Sequence, residues 1–128
     1  MVPRLQAIGR VLLTSLFVLG GLSKLASYEA TGARMAEAGL PPLLLPGVIA
    51  LEIGGGAMLA LGVRHAWAAA LALAAFILAT NAVFHRFWTM EAPIRALELS
   101  LFFKNVAIAG GLVLAAGTLL GRGGPISR

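Results

Sequence analysis

The chain has 128 residues, of which 59% are hydrophobic and only 12% are charged, and its net charge is +5. Soluble domains carry about 25% charged residues, and the apolar residues here form long runs, so the composition indicates an integral membrane protein. The absence of cysteine excludes disulfide bonds and thiol redox chemistry. The positive charges form no basic run, so lipid head groups and membrane topology explain them better than nucleic acid does.

Four apolar segments are long enough to cross a bilayer, since a helix needs about 20 apolar residues to span the hydrocarbon core. They predict an all-α integral membrane four-helix bundle that forms one domain, residues 1–128. We expect the membrane spans at about residues 5–25, 43–63, 66–84 and 96–120. A signal peptide is not favoured for the first segment, because three similar segments follow it.

The connection between the first two spans predicts a short amphipathic helix. Tyr28, Thr31 and Met35 share one face at helical spacing, whereas Glu29 lies on another. Gly39, followed by two prolines, is a typical helix stop. We expect this helix either to lie at the membrane surface or to cap the bundle.

The distribution of arginine predicts the orientation of the bundle. The side with both termini carries no acidic residue and has five arginines, Arg4, Arg10, Arg64, Arg122 and Arg128. The connections on the other side carry three arginines diluted by glutamates, namely Arg34, Arg86 and Arg95 with Glu29, Glu37, Glu91 and Glu98. By the positive-inside rule, both termini are expected in the cytoplasm, with the chain in a bacterial inner membrane.

Each predicted span brings one ionisable group to the outer half of the membrane. These groups are Lys24, Glu52, His85 and Lys104, and Asn105 follows the last of them. A charged group at that depth is costly unless it has a partner or a use. We therefore predict an internal polar cluster of these five residues that opens outward, in which Glu52 pairs with Lys24 or Lys104.

The balance of charge in this cluster favours a ligand site. Two lysines face one glutamate, so the cluster carries surplus donors that an anion or an electron-rich oxygen would satisfy. The glycines after Glu52 leave room for such a ligand. The alternative is that Glu52 and one lysine only hold the bundle together.

The same residues carry a family resemblance. The strings GGLSKL around Lys24, LEIGGG around Glu52, FHRFW around His85 and FFKNVAIAGG around Lys104 and Asn105 resemble the DoxX family in order and spacing. The resemblance implies a compact four-helix membrane bundle. It also implies a role in quinone-linked respiratory, sulfur-compound or oxidative-stress systems, as a small subunit beside a larger membrane oxidoreductase. More remote relatives of this kind act as chaperones or cargo receptors.

The residues leave few kinds of redox chemistry open. The sequence lacks the ligands for a bis-histidine haem, a copper or di-iron site, and a glycine-rich nucleotide site, so no metal, haem or nucleotide cofactor is expected. A quinone head group would find donors in Lys24, Lys104, Asn105 and His85. Glu52 and His85 are the candidates for a proton relay.

These observations lead to one main hypothesis and two alternatives. The first is a quinone-binding subunit that needs a partner for electrons. The alternatives are a non-enzymatic, accessory or chaperone-like bundle, and a carrier or sensor for a small anion such as a sulfur oxyanion. The glycines of the second and fourth spans can serve the bundle itself or a homo-oligomer.

The orientation can be tested with single cysteines, because the native chain has none. A membrane-impermeant maleimide added outside intact cells should label Glu91→Cys, since the connection there is expected to face outward. It should not label His65→Cys. The reverse pattern would overturn the orientation.

Overall fold

The computed structural model describes residues 1–123, so Arg128, which the orientation argument counts, lies outside the described residues. The described chain is helical almost throughout and has no strand, which confirms the predicted all-α bundle. Its helices are α1 (Val2–Ala26), α2 (Tyr28–Glu37), α3 (Leu45–Ala50), α4 (Gly56–Leu61), α5 (Ala66–Phe84) and α6 (Ile94–Gly123). In this described part of the chain, four helical spans are long and apolar enough to cross a membrane, namely Val2–Ala26, Pro42–Leu61, Ala66–Thr89 and Ile94–Arg122.

The second of these spans is not one regular helix. It begins with a 3₁₀ turn at Pro42–Leu44, continues as α3, and passes through a π-helical turn at Leu51–Gly55 before α4. A π turn holds one more residue than an α turn, and such turns occur frequently at functional sites. Glu52 lies inside this one.

The bundle packs as two helix pairs around a core of alanines and larger apolar side chains. α5 packs most extensively against α6, and α1 packs along the second span. The core consists of Phe17, Leu59, Ala70, Leu73, Ala74, Ile77, Ala109, Leu112 and Ala116. Many large apolar side chains are exposed instead, among them Leu12, Leu43 and Leu114. In a membrane protein these side chains face lipid, where exposure of apolar surface carries no cost.

Glycines allow α1 to lie close to the second span. A Cβ atom at Gly21 would lie 2.5 Å from Cγ1 of Ile53, and one at Gly56 would lie 2.9 Å from Cγ2 of Val18. These distances are shorter than van der Waals contact, so the helices could not approach this closely with larger residues.

α2 packs onto the bundle and does not lie free at the surface. Met35 is buried in a small cluster with Leu45 and Ile49. Gly39 ends the helix region with a positive φ of 82°, a conformation that glycine adopts without strain. The structure therefore shows α2 packed against one end of the bundle.

The close approach of α1 predicts an unequal cost for alanine at two glycines of the same helix. Gly21→Ala should lower the free energy of unfolding by about 1–3 kcal/mol, because the added methyl group overlaps Ile53. Gly9→Ala is the matched control, since nothing lies within 4 Å of its position, and alanine favours helix. Thermal unfolding in detergent measures both, and equal melting temperatures would contradict the packing described.

Candidate functional site

A cavity of about 490 Å³ lies between α1, α2, the second span and α5, and α6 contributes one residue to its wall. Most of the wall is apolar. The polar side chains in it are Lys24, Thr31, Arg34, Glu52, Thr80, His85 and Asn105. The cavity therefore brings together four of the five residues that the sequence analysis singled out.

Lys24 and Glu52 form an ion pair at the wall of this cavity. Lys24 Nζ lies 2.8 Å from Glu52 Oε1 and 3.1 Å from Oε2, so the ammonium group donates to both carboxylate oxygens. The Glu52 side chain is only 4% exposed, whereas that of Lys24 is 30% exposed. The carboxylate is thus the buried partner, and the pair has the geometry that a buried charge requires.

The local backbone explains how Glu52 reaches α1. Gly20 leaves the space that the carboxylate occupies, since a Cβ there would lie 2.9 Å from Glu52 Oε2. The π turn carries Glu52 on a widened stretch of helix. A larger residue at position 20 would press on the carboxylate at the point where it meets Lys24.

Two asparagines link α5 to α6 beside the cavity. The Asn105 side-chain amide donates to Asn81 Oδ1 at 2.9 Å, and Asn81 in turn donates to the backbone carbonyl of Phe102 at 3.0 Å. Both side chains are buried. Polar bonds between helices hold membrane bundles together where no water competes, so Asn105 has a fixed orientation at the cavity wall.

His85 is held by a carboxylate that the sequence analysis had assigned to a connection. Its Nδ1 lies 2.5 Å from Glu98 Oε2, and the two side chains are 21% and 17% exposed. Glu98 lies in the first turns of α6. Because Nδ1 faces the carboxylate, Nε2 is the nitrogen left for a ligand.

Lys104 is not part of the polar cluster. The prediction that it lies together with Lys24, Glu52, His85 and Asn105 is therefore wrong. The residue is exposed on α6 and does not line the cavity, although its neighbour Asn105 is buried. Of the two lysines predicted as possible partners of Glu52, Lys24 is therefore the one that pairs with it. The expected surplus of two lysines over one glutamate also disappears.

The structure supplies another cation that sequence reasoning missed. Arg34 of α2 lines the cavity, and its side chain pairs with no carboxylate within residues 1–123. The sequence analysis counted Arg34 only as a charge of the first connection. No sequence pattern predicted that Arg34 lies at the cavity, because only the docking of α2 brings it there.

The aromatic residues near His85 divide between two places. Phe84 lines the cavity. Phe87, Trp88, Phe102 and Phe103 pack against one another, with ring centroids 5.2–6.3 Å apart. These four form an aromatic cluster between the α5–α6 connection and α6, which suits packing and interfacial anchoring.

No group of three histidine, aspartate or glutamate side chains comes together within the described residues. The polar side chains at the cavity are nitrogen donors and hydroxyl groups beside one buried, paired carboxylate. This arrangement suits an uncharged or anionic ligand with acceptor oxygens.

The ion pair predicts an asymmetric response to removal of its partners. Lys24→Met should lower the free energy of unfolding by about 3–5 kcal/mol, because it leaves a buried carboxylate unpaired. Glu52→Gln should cost less, since Lys24 is partly exposed, and the double variant should cost less than the sum of both. Thermal unfolding measures these changes, with Lys104→Met as an exposed control. Additive effects would show that the pair is not coupled.

Comparison with known proteins adds an independent line of evidence. The family profile described as DoxX matches residues 5–86. The inner membrane protein YqjF of Escherichia coli (strain K12) is 34% identical over 85% of this chain and 79% of its own length. The inner membrane protein YphA of the same organism is 30% identical over 89% of this chain and 82% of its own length. No solved structure matches the chain. The chain is a membrane protein of the DoxX family.

Proposed function

We propose that the chain is a membrane-embedded subunit of a quinone-linked oxidoreductase system and that its cavity binds a quinone head group. The observation that carries the proposal is the cavity of about 490 Å³, whose mostly apolar wall holds a few polar groups from several helices. Ligand sites commonly have this composition, with an apolar pocket for bulk and a few polar groups for orientation.

The side chains at the cavity are of the types that would bind a quinone. Phe76, Phe84 and the surrounding aliphatic side chains give the flat ring an apolar wall. Lys24, Arg34 and Asn105 provide nitrogen donors for carbonyl oxygens, and His85 can provide one at Nε2. A bound quinone would supply the two-electron chemistry, and the electrons would come from a larger membrane partner.

The chain's own residues would bind the head group and handle protons. Glu98 holds His85 at Nδ1, so His85 can take up or release a proton at Nε2. Glu52 is engaged by Lys24, and this pairing makes it a positioning group for Lys24. We therefore assign the proton relay to His85 first and to Glu52 second.

The relatives agree with a membrane location. Both named relatives are inner membrane proteins of Escherichia coli, and we propose the bacterial inner membrane for this chain, with both termini in the cytoplasm. The names of these relatives state no substrate or partner, so the quinone proposal depends on the cavity alone.

A thermal-shift experiment tests the proposal. A short-chain quinone analogue at about one hundred times its Kd should stabilise the purified chain by about 2.7 kcal/mol. An alkylbenzene of equal chain length controls for partition into detergent. Asn105→Leu should abolish the shift, because it removes a buried donor at the cavity, whereas Lys104→Met, one residue away and exposed, should retain it.

The outcomes separate the three hypotheses. Equal shifts with the quinone and the alkylbenzene would overturn the quinone proposal. Stabilisation by thiosulfate or sulfite instead, lost in Arg34→Gln, would favour the small-anion alternative. A response to none of these compounds, together with co-purification of a larger membrane protein, would favour the accessory role.

A further inference from the structure

The opposite end of the bundle holds a second cavity of about 520 Å³. It lies where the short turn between α4 and α5 meets the end of α6. Its wall includes Arg64, His65, Trp67, Leu119 and Arg122. α5 separates this turn from His85, so the two cavities lie at opposite ends of the bundle.

Arg10 brings a buried cation to the same end. The residue is only 8% exposed, and its Nε donates to the backbone carbonyl of Leu59 at 3.0 Å. The guanidinium group covers Gly62, where a Cβ would lie 2.8 Å from Nη2. Gly62 itself lines the second cavity. Arg10 is thereby a second donor to a carbonyl that also accepts from the Gly62 backbone N–H, and it lies directly behind the cavity.

The positive charges of Arg10 and Arg64 have no counterpart among the acidic side chains. Those residues all lie toward the other end or in the first cavity, at Glu29, Glu37, Glu52, Glu91 and Glu98. Within residues 1–123, neither Arg10 nor Arg64 forms an ion pair with a carboxylate. A buried cation without a counter-charge is costly, and an external anion would lower that cost.

We infer that this end of the bundle is a binding site for a phosphate-bearing anion, supplied by the head group of an anionic phospholipid. Arg64 provides an exposed guanidinium group at this cavity, and guanidinium groups match phosphate geometry. Trp67, Leu119 and Leu120 border the cavity with apolar surface, as expected where a head group continues into acyl chains. Basic pockets between membrane helices bind anionic lipids in this way. The inference does not depend on the quinone proposal.

A lipid-binding experiment with matched variants tests this site. The full chain in detergent is titrated with phosphatidylglycerol or with phosphatidylcholine of identical acyl chains, and bound lipid is counted by native mass spectrometry. Phosphatidylglycerol should bind more tightly. Arg64→Gln should weaken its apparent affinity about fivefold, while Arg95→Gln, an exposed arginine at the other end, should leave it unchanged.

Arg64 is exposed, so Arg64→Gln should keep the wild-type melting temperature in the absence of lipid. Equal affinity for the two lipids would overturn the inference. An equal loss of phosphatidylglycerol affinity in Arg64→Gln and Arg95→Gln would show that diffuse surface charge, and not a defined site, binds the lipid. Excess inorganic phosphate should displace phosphatidylglycerol, whereas potassium chloride of equal ionic strength should displace less. Phosphate that binds as tightly as the lipid would overturn the assignment to a head group.

Discussion

A carboxylate buried inside a membrane span is the constraint on which most of this structure depends. Glu52 is nearly inaccessible, and an isolated carboxylate at that depth would be costly. Lys24 offsets the cost by donating to both of its oxygens. The pair requires α1 and the second span to lie close together, and the glycines at positions 20, 21 and 56 make that approach possible. The glycines and the charges are therefore parts of one arrangement.

The two ends of the bundle differ in electrostatic character. At one end, Lys24 pairs with Glu52 and His85 meets Glu98, while Arg34 lines the first cavity without a carboxylate partner among the described residues. At the other end, Arg10 and Arg64 have none within the described residues. The acidic side chains, whose uneven distribution predicts the orientation in a membrane, therefore all lie toward the end with the first cavity.

Much of the fold could be predicted because segment length and hydropathy decide it. The four spans and the α2 connection follow from these quantities. The positions of Lys24, Glu52, His85 and Asn105 along their spans also predicted that they lie at a common depth in the membrane. Depth does not determine the direction of a side chain around the helix axis, however. Lys104 and Asn105 are adjacent, yet about 100° separates them around the helix, and only Asn105 is buried.

Other parts of the site depend on tertiary packing that no local pattern records. In the sequence, Glu98 is only a charged residue near the start of a helix. The contact between α5 and α6 makes it the partner of His85. Arg34 reaches the cavity because α2 docks through Met35. The π turn at Glu52 is likewise invisible in the string LEIGGG, whose glycines are compatible with several helix geometries.

The ion pair also has a consequence for the assembly of the protein during synthesis. Lys24 and Glu52 are 28 residues apart in the chain, so the first span leaves the ribosome ahead of its partner carboxylate. An acidic residue near the middle of a helix disfavours insertion by about 2.5–3.5 kcal/mol. The second span would therefore enter the bilayer more readily as a hairpin with α1 than alone. The pair thus links membrane insertion of the second span to the presence of the first.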